Sequence, residues 1–352
     1  RKLSDKHILK AEEQGYSSDV CGYVKSDIGM MLEGNLGPSG SRLPPPDLLL
    51  CTFSGCTTFI KWFEALSHHY KVPLVMLDVP YLRDGKITEQ DRQYVVSQLM
   101  DVAGVCQRIT GKKLEMDRLS EICRLSAEAE DLWVDILQTS KRKPSPFEAY
   151  FEAVSFMAPI YVLRGTQACV DYYRSARREI EERIERGVGA VGKERFRVVF
   201  EGPPPWPKLR AFSELFKRWG VCGVASTYSK VGGFWDRGRR HEPKRPLESI
   251  AEYALECYTN QSLSMRADLI RDYVREYRAD AIVIHSVKSC RSFSVGQADL
   301  RERFIKEWGI PTLLVESDLA DSRYFQEAQL RNRIDAFFES LAATRGKTES
   351  AA

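Results

Sequence analysis

Asp280-Ala281-Ile282-Val283-Ile284-His285-Ser286-Val287-Lys288-Ser289-Cys290 joins an apolar, β-branched run to a small-residue loop and a cysteine. The run 281–284 does not alternate, so it reads as a strand buried on both faces. Downstream, Thr312-Leu313-Leu314-Val315 is a second such run. Between them, 297–308 spaces its apolar residues three and four apart, which predicts a helix. Strand, helix, strand with unbroken apolar strands points to a parallel sheet covered on both faces. The same unit occurs earlier: Leu48-Leu49-Leu50-Cys51-Thr52-Phe53, a helix over 59–70, then Leu74-Val75-Met76-Leu77. Asp47 and Asp280 precede the first strands, and Cys56 and Cys290 follow them. Val72-Pro73 and Ile310-Pro311 open the second strands, which end near Asp78 and near Glu316 and Asp318. Four shared landmarks are read as an internal duplication.

Two more strands are expected at 196–200 and 221–226. They are joined by Gly202-Pro203-Pro204-Pro205-Trp206-Pro207 and an amphipathic helix over 208–219. The stretch 89–186 reads as mostly helical, and its charged run 177–186 as a solvated face. The expected fold is α/β: two doubly wound parallel-sheet lobes, Rossmann- or flavodoxin-like, with helical packing between them. The expected division is an N-terminal lobe with the helical segment over 1–190, a C-terminal lobe over 191–341 and a flexible tail over 342–352. Loops at the carboxyl ends of such strands build the site, and Cys56 and Cys290 both fall there.

The chain has 352 residues, with 52 Lys+Arg against 49 Asp+Glu, for a formal net charge of +3. That near-balance argues against a protein built to neutralise a nucleic-acid backbone. No run approaches the length of a membrane span and no secretory leader is visible, so a cytoplasmic location is expected. The sequence opens at Arg1, and an N-terminal piece is expected to be missing. Tyr228-Ser229-Lys230-Val231-Gly232-Gly233-Phe234 is neither a P-loop nor a dinucleotide fingerprint, so neither ATP nor NAD is expected on this chain. Arg237-Gly238-Arg239-Arg240-His241-Glu242-Pro243-Lys244-Arg245 is the densest basic cluster, either a solvated loop or an anion site.

Nine cysteines, an odd number widely spaced, do not make a secreted disulfide framework. Cys51 and Cys222 lie in apolar strands, and Cys106, Cys123 and Cys169 in helical patterns, where core packing explains them. Cys257 ends a helix beside a polar loop and stays open. Cys21, Cys56 and Cys290 each lie outside strands among small residues, and the last two precede helices. A helix N-terminus stabilises a thiolate. Three thiolates from separate loops suit an iron–sulfur cubane, although ordinary buried thiols fit the spacing too. A closed zinc site would want a fourth ligand and close-spaced pairs, which are absent. The five histidines form no catalytic pattern, and His285 is the one placed to face the site.

Several segments carry a family resemblance. They are Gly15-Tyr16-Ser17-Ser18-Asp19-Val20-Cys21, Asp27-Ile28-Gly29-Met30-Met31, Lys61-Trp62-Phe63-Glu64 and Arg164-Gly165-Thr166. Further on come Glu201-Gly202-Pro203-Pro204, Tyr228 to Gly233, Gly238 with Arg240-His241, Cys257-Tyr258-Thr259-Asn260, and Lys288-Ser289-Cys290 with Ser294 to Gln297. Together they resemble the iron–sulfur subunits of the benzoyl-CoA reductase and 2-hydroxyacyl-CoA dehydratase family, from about Lys10 to Phe338. The long segments are closer to the B-type subunits of the ATP-dependent reductases than to the dehydratases.

The resemblance implies that Cys21, Cys56 and Cys290 hold a [4Fe-4S] cluster. It also implies a homologous C-type partner subunit, a separate ATP-hydrolysing activator carrying ATP and Mg, and ferredoxin as electron donor. The implied reaction is ATP-driven reduction of benzoyl-CoA to a cyclic dienoyl-CoA. The family's alternative is radical elimination of water from a 2-hydroxyacyl-CoA, and a further alternative is an electron-relay subunit that binds no substrate. Lys25, Arg240 and His241 are the candidate contacts for the CoA thioester.

Overall fold

The structure, a computed structural model, describes residues 2–37, 40–230 and 235–351. Its helices are α1 (Lys2–Glu13), α2 (Gly22–Leu32), α3 (Thr58–Tyr70), α4 (Glu89–Thr110), α5 (Met116–Thr139), α6 (Ala153–Phe156) and α7 (Ala158–Val162). They continue with α8 (Gln167–Glu185), α9 (Leu209–Lys217), α10 (Pro246–Leu255), α11 (Leu263–Glu276), α12 (Gln297–Lys306) and α13 (Glu327–Ala351). The strands are β1 (Leu49–Phe53), β2 (Leu74–Asp78), β3 (Phe196–Glu201), β4 (Val221–Ser226), β5 (Ala281–Val287) and β6 (Thr312–Ser317).

All the strands pair in parallel, in one sheet of order β4-β3-β5-β6 and a second of β1-β2. In the larger sheet every residue of β3, β4 and β5 is buried. Alternation along β5 decides which helices cover which face. Ile282 and Ile284 pack with Ala267, Ile270 and Tyr273 of α11 and with Leu300 and Phe304 of α12. Val283 faces the other way, with Phe200, toward Phe212 and Phe216 of α9 and Ile334 and Phe338 of α13. The sheet is thus doubly wound. The chain leaves β3 toward β4 on one side and β5 toward β6 on the other, so the topological switch point lies between β3 and β5. A crevice outside the carboxyl ends of these strands is where such sheets place their ligands.

The first sheet is smaller than a second doubly wound lobe would be, with two strands among the described residues. The stretch after it supplies α4, α5 and α8. The last two build a separate helical core around Trp133, Phe147, Tyr173 and Ile180. The core beside β1 is made by Ala11, Val24, Ile28, Leu49 and Leu66, from α1, α2, β1 and α3. Gly29 makes the α1–α2 contact possible, because a Cβ there would stand 1.9 Å from the carbonyl oxygen of His7. The β1-α3-β2 and β5-α12-β6 units share topology as well as landmarks. Helix α13 continues to Ala351, through the stretch expected as a loose tail. Residues 231–234 of the glycine-containing segment after β4 lie outside the described residues.

Glu148 is buried beside β4, where Ala149 N–H donates to Gly223 O at 2.7 Å. Its Oε2 accepts the backbone N–H groups of Tyr150, Phe151 and Glu152. Its Oε1 has no partner among the described residues and approaches Gly223, where a Cβ would stand 2.0 Å away. Burial pushes this carboxyl up to about 8.

Candidate functional site

Cys21 caps the start of α2, Cys56 lies in the loop between β1 and α3, and Cys290 follows β5. The structure brings them together through the two serines that flank Cys290. Ser289 Oγ accepts the N–H of Gly22 at 3.0 Å, next to Cys21. Ser292 Oγ donates to the carbonyl of Gly55 at 2.9 Å, next to Cys56. Ser289 N–H is itself anchored on Asp318 Oδ2 at 3.0 Å, and Asp318 Oδ1 accepts from Ala320 and Asp321 at 2.9 Å. Gly22 lies so close to this loop that a Cβ would stand 2.8 Å from Asp318 Oδ1 and 2.9 Å from Ala320 Cβ.

The Cys56 loop is held from a second side. Thr259 Oγ1 donates to Ser54 O at 3.0 Å, and Ser54 Oγ to Ala254 O at 3.2 Å. Gly55 has φ +77, and a Cβ there would meet Thr259 O at 1.9 Å. Behind both loops lies a buried polar network at the end of β3. Glu201 accepts from Arg266 Nη2 at 2.6 Å, from Tyr258 Oη at 2.7 Å and from Thr227 Oγ1. Arg266 Nη1 reaches on to Ser292 O at 3.1 Å, so one guanidinium joins the switch point to the Cys290 loop.

Each sulfur of Cys21 and Cys290 has backbone N–H groups aimed at it, from Tyr23 and Val24 and from Phe293 and Ser292. Burial outweighs them. It raises the Cys21 thiol and pushes that of Cys290 up to about 12, with the neighbouring cysteines adding to both. The thiols of Cys21 and Cys290 are therefore protonated near neutral pH, and a metal would have to displace their protons.

The donor set fits an iron–sulfur cluster. Three soft sulfurs sense one another's charge, and N–H groups point at two of them, the contacts that tune such clusters. Among the described residues no three ligands converge on a single metal ion. A cubane takes each thiolate on a different iron, so it asks for a wider triangle than a mononuclear site does.

The other expected site residues are placed differently. Lys25 has no exposed surface; its Nζ bonds Glu12 at 2.8 Å and Ser18 O at 2.9 Å, with Asp321 at 3.9 Å. It clamps α1 to α2, with its charge spent on Glu12 and Asp321. His241 is buried with Nδ1 2.6 Å from Glu130, which also binds Arg164 at 2.7 Å. It lies inside an ion-pair network. Arg240 pairs with Asp131 at 2.7 Å in a solvent-exposed contact.

Three more arginines of the basic cluster are spent internally, Arg237 on Glu276, Arg239 on Glu256 and Arg245 on Glu242. Lys244 is exposed and stands outside these pairs, so most of the cluster, but not all of it, is neutralised within the chain. His285 is fully buried, with Nδ1 2.5 Å from Pro203 O and Nε2 2.6 Å from Ser317 Oγ. Burial lowers it to about 4, so it is neutral and structural. Cys51, Cys123, Cys169 and Cys222 are buried as expected, while Cys106 on α4 is only half-buried.

Lys25→Met is expected to cost about 2 kcal/mol, less than breaking an isolated buried ion pair, because Arg323 still holds both Glu12 and Asp321. Urea unfolding at pH 7 checks this. An unchanged midpoint would show that the Lys25 contacts do not hold α1 to α2.

Ser289 and Glu201 lie in the family-like segments but were not singled out as site residues, and Ser292 and Arg266 were not singled out at all. The serines could have been found from their place on either side of Cys290, whereas Glu201 and Arg266 pair across 65 positions and leave no local trace.

A family model described as HGD-D, 2-hydroxyglutaryl-CoA dehydratase, D-component, matches residues 1–341. The benzoyl-CoA reductase B-subunit of Thauera aromatica is 46% identical over 98% of this chain and 82% of its own length. The (R)-phenyllactyl-CoA dehydratase alpha subunit of Clostridium sporogenes is 30% identical over 95% of this chain and 80% of its own. The (R)-2-hydroxyglutaryl-CoA dehydratase alpha subunit of Acidaminococcus fermentans is 29% identical over 87% and 62%. No helix among the described residues is long and apolar enough to cross a membrane. With a match that runs almost end to end, the chain belongs to the 2-hydroxyglutaryl-CoA dehydratase D-component family.

Proposed function

We propose that this chain is the iron–sulfur subunit of a benzoyl-CoA reductase, an oxidoreductase that works as a complex. The observation that carries the reading is the 46% identity to a reductase subunit over nearly the whole chain, against 30% and 29% for the dehydratase subunits. Cys21, Cys56 and Cys290 would hold a [4Fe-4S] cluster. When bound, such a cluster supplies single electrons at a potential set by burial and by hydrogen bonds to its sulfurs. Adding an electron to an aromatic ring sacrifices delocalisation energy, so the donor must be strongly reducing.

The chain's own residues do the holding. Ser289 and Ser292 fix the three loops relative to one another, and Arg266 braces the third from behind. Exposed ion pairs are worth little, so a CoA phosphate could replace Asp131 on Arg240, the most accessible of the three candidate residues. The partners in this reading are a homologous C-type subunit, an ATP-hydrolysing activator and ferredoxin, in the cytoplasm.

The test is anaerobic turnover of the co-purified complex with ATP, a strong reductant and benzoyl-CoA, the thioester being followed by mass spectrometry. A gain of two hydrogens that requires ATP and vanishes in Cys56→Ala is the expected result. No gain, with loss of water from a 2-hydroxyacyl-CoA instead, would move the chain to the dehydratases.

A further inference from the structure

Beside Cys21, three aromatic rings from three separate segments meet at the carboxyl ends of β3 and β4. Trp206 opens a 3-10 turn, Trp206–Lys208, directly after the proline-rich loop that follows β3. It is pinned at both ends, by its backbone N–H on Leu319 O at 3.1 Å and by its indole N–H on Tyr23 Oη at 2.5 Å. Tyr23 lies in the first turn of α2, two residues from Cys21. Tyr228 opens the 3-10 turn Tyr228–Lys230 after β4, with its N–H on Ser226 Oγ at 3.0 Å. Its ring stands edge-on to Trp206, centroids 5.7 Å apart at 67°.

None of the three is sealed into the core. Tyr23 is 38% exposed, and Trp206 and Tyr228 are half-buried. Large rings held by polar contacts at their tips, with area still open, are preorganised for a further aromatic partner. Trp206 follows β3, which borders the switch point, and Tyr23 stands two residues from a cysteine of the site, and this place says which partner.

We propose that Tyr23, Trp206 and Tyr228 form the seat for the ring of an aromatic acyl-CoA thioester and set the preference for an unsaturated ring. The inference rests on the reductase reading. An aromatic ring offers a negative face and a positive edge to the trio, whereas a saturated ring of the same size offers only apolar area. Each well-placed aromatic pair is worth about a two- to tenfold preference.

The experiment is equilibrium binding of benzoyl-CoA and of its saturated counterpart, cyclohexanecarbonyl-CoA, to the anaerobic complex without ATP. Melting temperature and iron content serve as controls. Trp206→Leu is expected to lower the preference for the aromatic thioester about fivefold or more while leaving the affinity for free CoA unchanged. Trp206→Phe, which keeps a ring, should retain most of the preference. An unaltered preference in a folded, iron-loaded Trp206→Leu complex overturns the seat. If that variant does not fold, Tyr23→Leu is read by the same criterion. A wild-type complex that reduces the ring yet shows no preference also overturns it. A wild-type complex that neither prefers benzoyl-CoA nor reduces it sinks the reductase reading instead.

Discussion

Gly55→Ala is expected to destabilise the chain by about 3 kcal/mol and to strip most of the iron from the anaerobically purified complex. Two independent costs coincide at this position. The residue sits at φ +77, where an L side chain costs roughly 1–2 kcal/mol. The added methyl would also stand 1.9 Å from the carbonyl oxygen of Thr259, and backbone cannot swing aside as a flexible side chain can. Either the loop carrying Cys56 moves out or the 258–260 turn gives way. That turn is buried and bonded to Glu201, Pro80 and Leu255 through Tyr258 and Asn260, so the cysteine loop is the part that yields. Denaturant unfolding together with iron and sulfide analysis checks both halves. Wild-type iron in a destabilised variant would show that the cluster does not depend on this loop's position.

Glu148→Gln is expected to stabilise the chain by on the order of 4 kcal/mol at pH 9 and to change little at pH 4.5. Burial raises the folded carboxyl to about 8, against about 4.5 when unfolded. Between those values the folded state holds a proton that the unfolded state has released, so stability falls as pH rises through the window and stays low above it. Glutamine keeps one oxygen to accept the three backbone N–H groups and has nothing to ionise. His285 runs the opposite way, stabilising above about 6.5 and losing that contribution as pH falls toward 4, but it titrates in both proteins and cancels in the difference. Melting temperatures of the two proteins from pH 4.5 to 9 should diverge steadily. Parallel curves would mean that Glu148 stays ionised in the folded chain.

Much of the larger sheet was legible because its strands are apolar without alternation, a pattern that arises when both faces are covered. Runs such as 281–284 and 196–200 declare themselves in any window. The two strands of the first sheet were legible from the same signal, at 48–53 and 74–77. Helix α2 left a signal that went unused, with Val24, Ile28 and Met31 four and three apart. Cys21, Cys56 and Cys290 were legible as loop cysteines among small residues, and the structure gathers their loops. Lys25 and His241 face internal carboxylates, which the sequence did not show, for one physical reason. A charge beside a functional residue reads the same in sequence whether it faces a ligand or a buried carboxylate, and Glu12 and Glu130 supply the carboxylates here. The aromatic trio was invisible, because its members come from positions 23, 206 and 228 and only the fold makes them neighbours.

The two serines beside Cys290 bind backbone 267 and 237 positions earlier in the chain. During synthesis, Cys21 and Cys56 therefore leave the ribosome long before the hydrogen bonds that align them can form. Until residue 292 has emerged and β5 has docked into its sheet, these two thiols belong to loops with no fixed relation to each other. In the iron–sulfur reading, cluster insertion would then follow synthesis through residue 292, and a product stalled before that point would expose unliganded thiols instead of a half-built centre.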